Sequence, residues 1–325
     1  MFRVLTVPEK SKPHVSEGEK DVHPPRAGSF RWIDLEDQDP ESLELLKTRF
    51  DFHPLAIEDC ANFDQRPKLE EYGGYLFIVN HALDCTDPKT GELDIHEVHA
   101  FLGDHYLVTV HEKNLAPLDE VWNRVAGDDG LAHRGADFIY YLLADRMVDT
   151  NFPLLDRIAD ELEILESDVL ANPDPEQLAT MFKLKRLLVS MRKTLSPQRD
   201  VFGLLSKRGG EQIDDKTSIY FRDIFDHLVR LNESIDTGRD LLGNCFDAYL
   251  SSVSNRTNAI MKSLTVMSAV FLPLAFVVGF YGMNFQDLPF IPNWTQSHGL
   301  MWTMLVACVG IPSGMLFWFH RRKWI

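Results

Sequence analysis

Two long apolar runs near the C-terminus limit most strongly what this chain can fold into. Residues 264–280 and 300–319 contain 17 and 20 residues without a charge. As helices they would be about 26 and 30 Å long, close to the roughly 30 Å hydrocarbon core of a membrane. Each run is apolar around its whole circumference, which argues against two buried core helices. The sequence therefore predicts two transmembrane helices joined by a short loop.

The charges that flank these runs indicate how the chain crosses the membrane. The loop between them, residues 281–299, carries only the charge of Asp287. Because positively charged flanks stay on the cytoplasmic side, both termini are predicted to be cytoplasmic. The expected location is the inner (plasma) membrane, as a multi-pass protein. The flanking basic residues are Arg256, Lys262, Arg321, Arg322 and Lys323.

The charge of the remaining chain narrows the class of partner. The whole chain carries −16 at pH 7 and the part from residue 256 onward carries +4, so residues 1–255 carry −20. An acidic body of this size repels nucleic acid and attracts cations. The four cysteines are scattered without a CxxC pair, which argues against a disulfide framework or a structural zinc site. We therefore expect no nucleic-acid partner and favour cations.

Local patterns divide the chain into segments. The β-rich runs SFRWIDL, GYLFIVNHAL, DIHEVHAFLG and HYLVTVH alternate with helical stretches and predict an α/β domain. The Asn-Pro-Asp-Pro stretch at 172–175 can stop one helix and start the next, which predicts a helical hairpin. The expected segments are a flexible N-terminal tail (1–28), a cytoplasmic α/β domain (29–136), the hairpin (137–210), a stalk helix (211–263), a first membrane helix (264–283), a periplasmic loop (284–299), a second membrane helix (300–320) and a basic cytoplasmic C-terminus (321–325).

Apolar or small residues recur in the stalk segment with the four-three alternation of a coiled-coil seam. Such a seam either packs on the chain's own domain or associates with other copies. Its length and its continuation into the first apolar run favour self-association. These residues, which we call the stalk stripe, are Ile224, Leu228, Leu231, Ile235, Gly238, Leu242, Cys245, Tyr249 and Val253.

A second stripe follows along the first apolar run. Two helices cannot enclose a water-filled path, so they are either an anchor or one subunit's share of a pore, and the stalk stripe favours the pore. Polar and small residues at spacings of three or four are not needed on a lipid-facing helix, but a pore can use them. The residues of this pore stripe are Asn258, Met261, Leu264, Ser268, Leu272 and Ala275, and Gly279 continues the same spacing towards the end of the run.

The triplet Gly282-Met283-Asn284 ends the first run. Taken alone, it is typical of a helix C-terminus. At the outer end of a pore helix, the Asn284 amide and carbonyls freed at Gly282 can hydrogen-bond the waters of a hydrated ion. No Asp or Glu lies within 263–286, so this pore would not chelate Mg²⁺, which gives up its water reluctantly. Selection would then depend on the size and charge of the hydrated complex.

No catalytic arrangement can be argued from the sequence, and we predict that the protein is not an enzyme. It lacks the GxxxxGK[ST] phosphate loop and the helical HExxH pattern. His96 and His99 are three residues apart, which places them on opposite faces of a strand. Other histidines are expected to be surface or packed residues: His53, His81, His105, His111 and His227.

Several segments together resemble the CorA family of magnesium and cobalt channels. The resemblance covers residues 30–325 and implies an α+β membrane protein: a funnel-shaped homopentamer in which a cytoplasmic α/β domain and a long helical hairpin precede a stalk helix that continues into the first of two membrane helices. The segments are YGMNF (281–285), the C-terminal RRKWI, HPLAIEDCANFDQRPKLEEY (53–72), YFRDIFDH (220–227) and YLSSVSNRTN (249–258).

The resemblance also implies roles for single residues. Gly282 and Asn284 would form an outer selectivity ring. Regulatory Mg²⁺ bound between cytoplasmic domains would hold the pore closed, with Asp223 as one ligand and Asp87, or as second choice Asp84, as its partner. The narrow neck of the pore would consist of Asn258, Met261, Leu264 and Leu272.

The implied function is uptake of hydrated divalent cations, Mg²⁺ and also Co²⁺, driven by the membrane potential. A potential of 100 mV supplies about 4.6 kcal/mol for a divalent ion. Two departures from the family pattern bear on ion preference and gating: Asp287 is the only acid at the mouth, and the neck has Leu272 and Ala275 where a thioether and a hydroxyl are common. The alternatives are a proton-coupled zinc transporter like ZntB and, from a different class, an anchored cation sensor without a pore.

Overall fold

The computed structural model describes residues 2–9, 11–26, 28–36, 39–85, 87–208, 212–283 and 298–324. They divide into two units, Met1–Asp247 and Ala248–Ile325, and the boundary falls within a single long helix.

A mixed seven-stranded sheet is the centre of the first unit. Its strand order is β2-β1-β3-β7-β6-β5-β4, with β3 and β7 parallel and the other pairs antiparallel. The four β-rich runs named from the sequence correspond to β3, β5, β6 and β7, so those strand predictions are confirmed. The strands are β1 (Phe2–Pro8), β2 (His14–Glu17), β3 (Ser29–Glu36), β4 (Lys68–Tyr72), β5 (Tyr75–Asp84), β6 (Asp94–Gly103) and β7 (Tyr106–His111).

The expected flexible tail over 1–28 is wrong, because β1 and β2 lie within it. Strand β1 pairs with β3 over its whole length, and Phe2, Val4 and Leu5 are buried. The segment FRVLTV therefore supplies apolar side chains to the core. The expectation of a tail rested on the polar composition of residues 8–28, which does not extend to this short preceding strand.

Helices cover both faces of the sheet. On one face, α1 and α2 contribute Leu46 and Ala56 to a core that also contains Ile33 and Phe101 of the sheet. On the other face, Trp32 of β3 lies against Trp122 of α3, with ring centroids 4.7 Å apart. The helices are α1 (Pro40–Phe50), α2 (Pro54–Ala61), α3 (Ala116–Gly127), α4 (Asp129–Ala132), α5 (Ala136–Asp149), α6 (Asn151–Ala171), α7 (Pro175–Leu205), α8 (Asp215–Tyr281) and α9 (His298–Arg321).

The segment expected to be a two-helix hairpin, 137–210, contains three helices. The turn at 172–175 is confirmed, since α6 ends at Ala171 and Asp174 caps α7 through a capping box with Gln177. Helix α5, however, is a separate element that ends before Thr150 and packs on the sheet and on α3. Most of the apolar side chains of α5 are buried in these contacts.

The stalk stripe packs within the first unit from Ile224 to Cys245, and its last two members, Tyr249 and Val253, belong to the second unit. Leu228, Leu231 and Ile235 are fully buried in the isolated chain. A Cβ added to Gly238 would lie 3.5 Å from Leu188 of α7 and 3.7 Å from Leu162 of α6. The preference for self-association is therefore wrong for this part of the stripe, because α6 and α7 cover it. Intrachain packing, the other interpretation of the spacing, is the one observed.

In the second unit, the C-terminal part of α8 and α9 are both long and apolar enough to cross a membrane. They pack together through a small cluster around Val266 and Val270 of α8 and Phe319 of α9. Helix α9 begins at His298 and ends at Arg321, which agrees closely with the predicted second span. Most of the remaining surface of both helices is exposed in the isolated chain.

Candidate ion pathway and metal centre

The pore stripe lies on the side of α8 that faces away from α9. Val266 and Val270 are buried in the contact with α9, whereas Leu264 and Leu272 are 56% and 73% exposed. Ala275 follows Val266 by nine residues, which is about 180° around a helix of 3.6 residues per turn. All six residues of the pore stripe are exposed in the isolated chain. This face is therefore available to line a pathway or to contact lipid.

The first membrane helix ends at the Gly-Met-Asn triplet. The N–H of Gly282 donates to the carbonyl of Val278 at 2.9 Å, and that of Met283 donates to the carbonyl of Phe280 at 3.4 Å. A Cβ at position 282 would lie 3.0 Å from the Val278 oxygen, so this tight helix end favours glycine. Gly282 and Met283 are exposed, and Asn284 lies outside the described residues.

The pore stripe is chemically neutral. Only Asn258 and Ser268 offer polar side chains, and the other four members are apolar. A hydrated cation could exchange hydrogen bonds with the amide and the hydroxyl through its own waters. The wide apolar stretches between them can exclude water when the pathway narrows. The arrangement suits passage of a hydrated ion rather than capture of a bare one.

A candidate metal centre lies in the first unit, between α5 and α8. One ligand atom each of Asp145, Asp149 and His227 lies within 4.8 Å of the others. His227 Nδ1 is 3.5 Å from Asp149 Oδ1 and is buried without a hydrogen-bond partner among the described residues. Asp223 Oδ2 lies 3.8 Å from His227 Nε2. Two carboxylates and one imidazole therefore form the group, whereas Asp223, the ligand expected from the sequence, lies beside the other ring nitrogen of His227 and is not a member of it.

The electrostatics of this centre favour a cation. Burial, and then the neighbouring Asp149 carboxylate, raise the pKa of Asp145 to about 6. Burial, and then Asp145 and Asp223, raise the pKa of Tyr141 to about 12. Burial is the largest cause of both shifts, and the further contribution of the neighbouring carboxylates shows a locally negative environment that a bound cation would relieve. The unpartnered His227 nitrogen and the carboxylate oxygens are suitable donors for a divalent ion.

This centre was not predicted from the sequence, which indicated only that His227 is a surface or packed residue. A signal was present, since Asp145 and Asp149 are four residues apart, as are Asp223 and His227. Each pair therefore shares one helix face. The sequence did not indicate that these two faces meet, because that depends on how α5 packs against α8.

The acids expected to accompany Asp223 lie elsewhere in the chain. Asp84 is exposed at the end of β5, opposite Asp94 of β6. Asp87 accepts a hydrogen bond from the N–H of Lys89 and caps a short 3-10 turn, Pro88–Thr90. Within one chain, neither acid joins the group of Asp145, Asp149 and His227. A site shared with a second copy stays a prediction.

The two histidines of the HEVH stretch are separated as expected. His99 is fully buried on β6, stacks on Phe63 and lies 3.1 Å from Glu97. His96 is half-buried beside a cavity that Asp84 also lines. The two side chains belong to different environments, so HEVH does not form a chelate.

These features define a class of protein. It is a two-span membrane protein with an acidic α/β unit and an uncharged, exposed stripe on its first span. Residues 27–321 match the model of the family described as CorA-like Mg²⁺ transporter protein. The chain therefore belongs to this family of divalent cation transporters, and its relatives are transporters rather than enzymes.

Individual relatives agree with this assignment. The chain is 36% identical to the cobalt/magnesium transport protein CorA of Thermotoga maritima over 85% of its own length and 78% of that protein. It is 24% identical to the zinc transport protein ZntB of Cronobacter sakazakii over 90% of its length and 88% of that protein. The CorA magnesium transporter structure of Methanocaldococcus jannaschii has the same fold, with a TM-score of 0.83, 22% identity and coverage of 99% of this chain and 98% of that one.

Proposed function

We propose that the protein is an uptake channel for hydrated divalent cations, Mg²⁺ and also Co²⁺, and that it works as a homopentamer in the inner membrane with both termini in the cytoplasm. The observation that carries this proposal is the exposed, uncharged pore stripe opposite the α9 contact in a chain of the CorA-like family.

The proposed assembly of several copies is required because each chain has only two spans among its described residues. Two helices cannot surround a water-filled path, and a lipid-facing helix does not need Asn258 or Ser268. Copies of α8 arranged around an axis would turn the pore stripe inward and leave α9 between the pore helices and the lipid. The stripe would then provide the neck, with Leu264 and Leu272 as its apolar constrictions.

Selection in this proposal acts on the hydrated ion. Gly282, Met283 and Asn284 would form a ring at the outer end of the pore, and Asn284 would hydrogen-bond the waters of the ion. Neutral ligands hold Mg²⁺ weakly enough for release, whereas a cage of carboxylates would trap it. The membrane potential contributes about 2.3 kcal/mol per charge per 100 mV, so no ATP-binding site is required.

Regulation would use the centre of Asp145, Asp149 and His227, together with Asp223. A cation bound there offsets the repulsion among these carboxylates and, with Asp87 or Asp84 of a neighbouring copy, would hold cytoplasmic units together. Loss of the cation would let the units separate and the neck widen. Inhibition by internal Mg²⁺ follows from mass action.

The filter is tested by Mg²⁺ uptake into proteoliposomes under an inside-negative potential, with and without a pH gradient. Asn284→Ala should lose uptake or ion selectivity, whereas Asn123→Ala, a matched change at an exposed position of α3, should not. Uptake in the unmodified protein should ignore the pH gradient. Zinc flux that follows the proton gradient, without Mg²⁺ flux, would instead identify a ZntB-like transporter.

The regulatory centre is tested by Asp223→Lys. The ammonium should mimic the bound cation, so uptake should become less sensitive to internal Mg²⁺. Asp226→Lys makes the same change in charge three residues further along α8, also at an exposed position, and should retain the inhibition. Unchanged inhibition in Asp223→Lys would exclude Asp223 from the regulatory site.

A further inference from the structure

The end of α9 is an ordered basic cap rather than a loose tail. The N–H of Trp324 donates to the carbonyl of Phe319, and that of Lys323 donates to the carbonyl of His320. The ring of Trp324 stacks on that of Phe319, with centroids 5.7 Å apart. These two bonds and the apolar contact define a Schellman motif, which closes the helix and fixes the chain after it. We call residues 318–324 the C-terminal cap.

Lys323 occupies the one position of this motif that favours glycine. Its φ of 58° lies in the left-handed region, where a side chain is disfavoured. A lysine at a position that favours glycine indicates that its side chain has a functional role. The Lys323 side chain provides a positive charge, and the motif holds that charge at a fixed position.

Helix α8 adds a further charge to the cap. Lys262 Nζ donates to the carbonyl of Lys323 at 3.1 Å, so its ammonium lies at the end of α9. The guanidinium of Arg322 lies 5.7 Å from the ring of Trp318. The basic side chains of the two helices therefore meet at one level, beside exposed aromatic rings. The basic residues of this level are Lys262, Arg321, Arg322 and Lys323.

The described residues of this unit provide no carboxylate to neutralise these charges. Neither 248–283 nor 298–324 contains an Asp or Glu. Within the described part of the unit, none of the four basic side chains forms a salt bridge. Among the described residues of this unit the four basic side chains therefore have no acidic partner, and an anion from outside the chain can supply the counter-charge.

We propose that the C-terminal cap binds the phosphate groups of anionic phospholipids in the cytoplasmic leaflet. The cap ends a membrane-length helix, and Trp318 and Trp324 are suited to the level of the headgroups. Basic clusters directly after a span attract anionic lipid by about 1 kcal/mol per charge, or roughly fivefold in affinity. A nucleic acid is a poor candidate, because residues 1–255 carry −20. The inference rests on the membrane orientation given under Proposed function, but not on transport.

The test measures thermal unfolding of the purified full chain in a neutral detergent, as phosphatidylglycerol or phosphatidylcholine is added. Phosphatidylglycerol should raise the unfolding midpoint more than phosphatidylcholine. Lys323→Gly should have an equal or higher midpoint without lipid, because glycine suits the left-handed position. The Lys323→Gly variant should nevertheless need about fivefold more phosphatidylglycerol to reach half of the maximal increase in unfolding midpoint. Lys185→Gln, at an exposed position of α7, should respond like the unmodified protein.

Two results would overturn the proposal. One is an equal response to the two lipids, or an unchanged phosphatidylglycerol requirement in Lys323→Gly. The other is an equal shift with inorganic phosphate at the same concentration, which would identify a soluble-anion site. Since no ion flux is measured, failure here leaves the channel proposal standing, and failure of Mg²⁺ uptake leaves this one standing.

Discussion

Helix α8 carries two stripes of similar spacing in opposite surroundings. Leu228, Leu231 and Ile235 of the stalk stripe are fully buried within one chain. Leu264 and Leu272 of the pore stripe are largely exposed, although they recur at comparable intervals. The comparison shows that helical periodicity identifies a face that will be covered, but not what covers it.

Composition distinguishes the two stripes better than spacing does. The stalk stripe is mainly Ile and Leu where it meets α6 and α7, as expected for an interior packed at high density. The pore stripe mixes Asn and Ser with Met, Leu and Ala, which a dry intrachain core would leave with unpaired polar groups. The buried stripe is therefore a stability element, and the exposed one carries the proposed function.

Truncation of a stalk-stripe residue should give the largest effect. Leu231→Ala removes a fully buried side chain and should destabilise the first unit by about 2–5 kcal/mol. Leu272→Ala, the same change at a 73% exposed position, should leave the first unit unchanged. Amide hydrogen exchange of the full chain, measured on peptides from the first unit, would compare the stability of the two variants. Equal effects of the two variants would remove the distinction between the stripes.

The face of α8 around His227 should respond to pH and to cations together. The folded pKa of Asp145, about 6, lies above its ordinary value of 3.8. Without a cation, the contribution of Asp145 to stability should therefore be greatest at low pH and fall as the pH rises between these values, because its carboxyl ionises first in the unfolded state. Divalent cations bind the ionised form, so their affinity should fall as the pH drops below about 6.

Asp145→Asn tests this linkage. The variant should be more stable than the unmodified protein at neutral pH without cation, and should gain less stability when Mg²⁺ is added. Asp168→Asn, a matched change on α6, should keep the full response. Thermal unfolding at pH 5 and 7.5, with and without Mg²⁺, gives the comparison. An undiminished Mg²⁺ response in Asp145→Asn would contradict the proposed centre.

A glycine in the stalk stripe should give the smallest effect. Alanine at 238 would meet Leu188 at an ordinary contact distance of 3.5 Å, and it is the better helix former. Gly238→Ala should therefore stabilise the first unit by about 0.5–1 kcal/mol. Gly243→Ala, where a Cβ meets nothing within 4 Å, isolates the backbone contribution. Denaturant unfolding would measure both, and a net destabilisation at 238 alone would mean that the stripe is packed more tightly.

Local signals in the sequence were sufficient for much of this fold. The proline-rich turn at 172–175 ends α6 and begins α7, and the uncharged runs correspond to the membrane-length parts of α8 and α9. These features depend on composition over a few neighbouring residues. The strand at Phe2–Pro8 was missed because its short pattern precedes a polar segment.

The remaining features depend on contacts between distant segments. The stalk stripe could have faced another copy or α6 and α7, and periodicity was the same in both cases. The group of Asp145, Asp149 and His227 brings α5 and α8 together across nearly 80 residues of sequence. The pore stripe, in contrast, was found because its unusual composition is itself local.

The most direct test of the pore stripe is to compare cysteines on the two faces of α8. Ala275→Cys and Val270→Cys would be made in a background whose native cysteines are replaced by alanine, and Mg²⁺ uptake would be measured before and after a small, positively charged thiol reagent. A pore stripe predicts block of uptake in Ala275→Cys and no block in Val270→Cys, which faces α9. Uptake that persists in treated Ala275→Cys, or is blocked only in Val270→Cys, would contradict the account.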